Sequence, residues 1–248
     1  MSCNSADLPS SFDRFRAVWD IDFEFRHDEN HRPVPVSLFA KEHRTGAEIA
    51  MWRDELLRTT RLPFDDGNDT LVTAYMAVAE LNCLDRLNWP PPRNLLCTYV
   101  ETSAAINGLD IVGLSEKRPS LLEACELFGV PHVSKEYKAA MRDLILSKAE
   151  YTDEEQRQIN LYNRGDVEED MPLLKAIAPT IDLPAALFRG RYLKAVSAME
   201  LRGIPTDTDY LRQLEANWQA LRQYYIGRDD TFGCTMTMDR SAKFASKN

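Results

Sequence analysis

The sequence predicts an α/β fold: a mixed five-stranded sheet flanked by helices, with a C-terminal helical extension. Three observations predict it. Short β-rich runs follow one another early in the chain. A strand–helix–strand passage occupies residues 70–100. Almost everything beyond residue 100 carries helical periodicity. With 248 residues the chain is long enough for one large domain or one and a half.

The elements follow in order. Residues 16–25, 34–42 and 46–52 read as three strands of an antiparallel meander, punctuated by Pro33, Pro35 and Gly46. TLVTAYM is a fourth strand. The helix AVAELNCLDRLN follows, with Ala79, Cys83 and Leu87 on one face, and WPPPRN stops it. LLCTYV, residues 95–100, is the fifth strand. SLLEACELFG is a helix with Ser120 as N-cap and Gly129 as stop. KEYKAAMRDLILSK is the next. Thr152 and Glu155 form a capping box that opens a long helix over 152–178. Another helix spans 183–203 and closes at Gly203. Residues 207–226 carry Leu211, Leu214, Trp218, Leu221 and Tyr225, a narrow 3,4 seam that packs either on the chain's own core or on a partner. The expected organisation is an N-terminal tail at 1–14, a sheet-bearing domain at 15–180, a helical extension at 181–228 and an irregular tail at 229–248.

The first strand is unusual. In VWDIDFEFRHD, alternation places Asp20, Asp22 and Glu24 on one face and Ile21, Phe23 and Phe25 on the other. Like charges side by side repel unless a cation lies between them. A divalent metal site is one reading; a solvated acidic face on an edge strand is the other. A metal site needs more oxygens. Tyr162 and Asp166, in LYNRGDVEED, are four apart and share a helix face. Glu80 lies in the apolar setting AVAEL, so it is either at a helix surface or functional.

Composition narrows the function classes. The formal charge is −9 and the pI about 5.1, which argues against binding nucleic acid by bulk positive charge. It leaves room for an enzyme that meets phosphate through bound metal ions. The five cysteines are scattered without a CxxC pair, and the start MSCNSADLPS has no apolar core segment. A reducing, cytoplasmic setting with no zinc site is expected. The four histidines show no ligand spacing and are expected on the surface. No apolar run approaches a membrane span.

Taken together, D-x-E on the first strand (Asp22, Glu24), an acidic residue on the helix after the fourth strand (Glu80) and Y-x-x-x-D on a late helix (Tyr162, Asp166) resemble the DEDD exonucleases of the tyrosine subclass. The proofreading domain of bacterial family A DNA polymerases is similar, as is a phage-like group of DNA polymerases reading WDIDFEF and AYxAxAE at these places. The resemblance covers residues 15–180. GRYLKAVSAMELRGIPTD resembles the segment joining such a domain to a polymerase. It implies a ribonuclease H-like fold and 3′–5′ hydrolysis of phosphodiester bonds by two Mg²⁺ or Mn²⁺ ions. Asp22, Glu24, Glu80 and Asp166 would be ligands, with Tyr162 and Glu24 acting on the attacking water.

Two departures stand out. Met76 and Glu80 occupy positions where the family has Asn and Asp. Nothing after residue 210 resembles polymerase motifs, so polymerase activity is not expected. Single-stranded 3′ ends are the expected substrate, DNA ahead of RNA. Phe23, Tyr75, Met76, Lys138 and Arg142 are candidate substrate contacts. Phe23 and Tyr75 read more readily as core, and Lys138 with Arg142 as a solvated helix face. Residues 183–228, with seven basic and four acidic residues, are a candidate docking surface for a protein partner or for a polymerase region. The competing readings are an inactive exonuclease-like scaffold and an RNA-directed exonuclease.

Overall fold

The computed structural model describes residues 8–108 and 119–229. Its sheet has the order β3-β2-β1-β4-β5, with β1 Ala17–His27, β2 Pro33–Glu42, β3 Glu48–Trp52, β4 Thr70–Ala74 and β5 Asn94–Cys97. β2 pairs antiparallel with β1 and β3, and β4 and β5 run parallel to β1. This mixed five-stranded sheet with helices on both faces is the expected ribonuclease H-like architecture. The acidic strand is central, not an edge. That removes the solvated-edge reading of its carboxylates.

The helices are α1 Arg53–Arg58, α2 Ala77–Arg86, α3 Thr98–Ala105, α4 Leu121–Phe128, α5 Lys135–Ser147, α6 Asp153–Ile177, α7 Leu183–Arg202 and α8 Thr208–Asp229. The capping signals act as expected. Ser120 and Glu123 box the start of α4, Gly129 ends it at φ 68°, and Thr152 with Glu155 boxes α6.

Three local readings are corrected. β5 ends at Cys97, where its partner β4 also ends at Ala74. With no ladder left to join, the run Thr98–Val100, rich in strand-favouring residues, turns into α3. In α2 the buried face is Ala77, Glu80, Leu81 and Leu84 together with Cys83, while Ala79 and Leu87 are half-buried. The stretch before the sheet is not all tail: Ser10–Arg14 forms a 3-10 turn, and Phe12 and Phe15 are completely buried. Residues 1–7 and 230–248, which include most of the expected C-terminal tail, lie outside the described residues.

Two apolar layers cover the sheet. Ile21, Phe23, Leu38, Ala40 and Val72 pack with Leu56 of α1 and Leu81 and Leu84 of α2. On the other face Val18, Leu71 and Leu96 pack with Leu173, Leu174 and Ile177 of α6 and with α4. α7 lies against β5 and α2. Gly190 permits that approach: a Cβ there would sit 1.9 Å from the Leu95 carbonyl oxygen. Among the described residues the compact unit therefore runs to Arg202, and those from Gly203 on form a second unit. On α8 the seam residues Leu211, Trp218 and Tyr225 are exposed. No helix among the described residues is long and apolar enough to cross a membrane.

Candidate metal centre

Alternation along β1 determines which side chains meet α6. Val18 is core on that face. Asp20 is buried next to it, and Asp22 and Glu24 reach the end of the strand half-buried. The register of β1 against β2 shifts between Glu24 and Phe25, so an irregularity ends the regular pairing beside the acids. From the facing helix, Asp166 projects one turn beyond Tyr162. Asp22, Glu24 and Asp166 each offer one carboxylate oxygen, and these oxygens all lie within 4.8 Å of one another. All are hard oxygen donors, with no nitrogen or sulfur, which suits Mg²⁺ or Mn²⁺. A cleft of about 720 Å³ opens over them.

Burial and mutual repulsion oppose ionisation of these carboxyls. Burial and then the neighbouring Asp166 push Asp22 well above the ordinary carboxylate range. Burial, Asp22 and Asp166 do the same to Glu24. Burial raises Asp166 as well, against the pull of Lys138. A bound cation reverses this logic by favouring the ionised form. The Tyr162 hydroxyl faces Asp166, and burial followed by that carboxylate pushes it far above its usual value. It is therefore a neutral hydrogen-bonding group. Its ring meets Tyr137 of α5 edge-on, with centroids 6.0 Å apart.

Glu80 is buried, not at a helix surface. It accepts a hydrogen bond from the Phe23 backbone N–H at 2.8 Å. Burial and then Asp22 hold its carboxyl well above the usual range. It borders the cleft but stands outside the three-oxygen group.

The expected substrate contacts divide. Met76 is 44% exposed and lines the cleft, as does exposed Arg142. Phe23 also borders the cleft, but its side chain is buried in the core edge-on to Trp89. Tyr75 packs against Tyr99 and donates its hydroxyl to the Pro119 carbonyl oxygen at 2.7 Å; it does not line the cleft. Lys138 is not on a solvated face. Its side chain is 17% exposed, and Nζ is 2.7 Å from Asp166 Oδ1 and 3.1 Å from Glu169 Oε2.

A second acidic layer lies beneath the first. Asp20 and Asp170 repeat the spacing of Asp22 and Asp166, two residues earlier on the strand and four later on the helix. Both are almost fully buried, and their carboxyls are within hydrogen-bonding reach of each other. Thr98 Oγ1 donates to Asp170 Oδ2 at 2.9 Å. Both Asp20 oxygens and Asp170 Oδ1 have no other donor. A proton shared between the two carboxyls would pair two of these three oxygens, and burial raises both groups toward holding it. His43 Nε2 is 3.8 Å from Asp20 Oδ2. Contrary to the surface expected of the histidines, its side chain is buried, and burial lowers it to about 3, so it is neutral. Asp170 and Glu169 were missed in the sequence. The signal for Asp170 was its place one helical turn after Asp166.

No family model and no curated protein matches this chain. Among solved structures, Escherichia coli RNase D, described as an exoribonuclease involved in structured RNA processing, aligns with TM-score 0.47 and 16% identity. The alignment covers 84% of this chain and 51% of RNase D, about half its length. A nuclease in its apo form aligns with TM-score 0.47 and 12% identity, over 79% of this chain and 89% of that one. Brucella melitensis NrnC bound to pGG aligns with TM-score 0.47 and 14% identity, over 79% and 91%.

Proposed function

We propose that the chain is a metal-dependent exonuclease that hydrolyses phosphodiester bonds at the 3′ end of a nucleic-acid strand. The observation that carries this reading is the convergence of Asp22, Glu24 and Asp166, from a central strand and a distant helix, on one point at the floor of a cleft.

Asp22, Glu24 and Asp166 would hold the ion that activates water, and Asp22 with Glu80 a second ion. A pair of Mg²⁺ or Mn²⁺ ions supplies Lewis-acid stabilisation to the attacking and leaving oxygens. Tyr162, neutral at working pH, orients the attacking water by hydrogen bonding and does not remove its proton. The Glu80 carboxylate fixes the β1 backbone at Phe23, which sets the directions of Asp22 and Glu24 on either side. Arg142, which lines the cleft at its exposed rim, would meet a phosphate. The inactive-scaffold reading draws on one observation, the Lys138 ammonium already seated on Asp166.

The test is incubation of 5′-labelled single-stranded DNA and RNA with Mg²⁺, Mn²⁺ or EDTA. The reading predicts stepwise shortening from the 3′ end of at least one substrate, stopped by EDTA and by Asp22→Asn. Intact DNA and RNA in both metals would exclude it, and comparing the two strands determines the sugar preference.

A further inference from the structure

Lys138 is the only cation within ion-pair distance of the acidic centre among the described residues, and it bridges two carboxylates of different kinds. Glu169 is an anchor. Its Oε1 accepts a hydrogen bond from the Val133 N–H at 2.7 Å, which ties it to the segment entering α5, and its side chain is 6% exposed. Asp166 is a candidate metal ligand. Its Oδ1 is 2.7 Å from Lys138 Nζ, and the lysine is the one partner of that oxygen among the described residues. At one contact the lysine meets a carboxylate anchored to the backbone, and at the other a carboxylate that a divalent ion also needs.

An ammonium and a divalent cation on one carboxylate repel strongly in a water-poor site. Four flexible methylenes let Nζ swing while the α5 backbone stays in place. The same side chain lines the cleft, so a short swing away from Asp166 takes Nζ toward bound substrate.

We propose that Lys138 is an exchangeable cation. Without metal it neutralises Asp166. When a divalent ion binds, Lys138 leaves Asp166, keeps Glu169 as its pivot and offers its ammonium to a phosphodiester oxygen of the substrate. This rests on the metal-centre reading and adds to it a competition between a built-in cation and the metal, and a phosphate-binding role for the displaced group.

Lys138→Met keeps most of the length and removes the charge. Mn²⁺ affinity would be measured by titration calorimetry and by the EPR signal of free Mn²⁺. Affinity for a single-stranded oligonucleotide would be measured with Ca²⁺ on the variant and wild type. The proposal expects Mn²⁺ to bind Lys138→Met about tenfold more tightly, and the oligonucleotide about tenfold more weakly. In the wild-type protein with ¹³C-labelled lysine, Mg²⁺ should shift the Lys138 Cε resonance. That measurement needs no variant and stands if Lys138→Met fails to fold. Equal or weaker Mn²⁺ binding by folded Lys138→Met would overturn the proposal and leave the metal reading standing. So would an unmoved Lys138 resonance on metal binding. Absence of Mn²⁺ binding by the wild type would overturn both.

Discussion

Two acidic layers lie one above the other between β1 and α6, built by the same spacing and left in opposite states. The outer layer, Asp22 and Asp166 with Glu24, is half-buried and opens on a cleft. The inner layer, Asp20 and Asp170, is sealed by Thr98, His43 and the surrounding core. Spacing alone does not make an acid a metal ligand. Access to solvent and a third converging oxygen separate the outer layer from the inner one. The inner pair can share a proton between its two carboxyls, whereas the outer group sets three carboxyls against one lysine.

Single carboxamide substitutions are the sharpest way to break this comparison. Asp22→Asn should weaken Mn²⁺ binding by about a hundredfold or more, and Asp20→Asn by less than about tenfold. Titration calorimetry on both proteins checks this. Equal losses would mean that both layers hold the ion.

A smaller effect concerns pH. Asp20, Asp22, Glu24, Glu80 and Asp170 are all raised above their ordinary values, by burial first. The folded protein therefore keeps protons that the unfolded chain gives up. Their contribution to stability is complete below about pH 4 and is lost as pH climbs through the raised values. The melting temperature of the metal-free protein should fall as pH rises above the ordinary carboxylate range of about 4. Mn²⁺ should restore the outer layer's part and leave the inner layer's loss. Melting scans at rising pH, with and without Mn²⁺, measure both. A melting temperature that climbs with pH would contradict the protonation assigned here.

The smallest expected effect is on the inner layer alone. Thr98→Val removes the hydroxyl that donates to Asp170 and should cost about 1–3 kcal/mol of stability. Mn²⁺ affinity should not change. Denaturant unfolding with a parallel Mn²⁺ titration tests whether the layers act separately.

Local chemistry made much of this legible in the sequence. Period-two alternation put Asp20, Asp22 and Glu24 on one face. Spacing of four paired Tyr162 with Asp166, and the caps at Ser120, Thr152 and Gly129 marked helix ends that the structure keeps. The same alternation placed Phe23 away from the acids, so its proposed contact with bases conflicted with the pattern. What could not be read depended on tertiary packing. Lys138 and Arg142 share a helix face, yet one is drawn into the acids while the other stays at the rim. Glu80 is buried because α2 turns the face containing Ala77, Leu81 and Leu84 toward the sheet. The end of β5 was set by the length of β4, which composition does not encode.

Anomalous diffraction from crystals soaked in Mn²⁺ tests the central claim most directly. The account predicts a peak at about 2.0–2.3 Å from one oxygen each of Asp22, Glu24 and Asp166, and none between Asp20 and Asp170. A peak in the inner layer, or no peak at the outer one under saturating Mn²⁺, would contradict it.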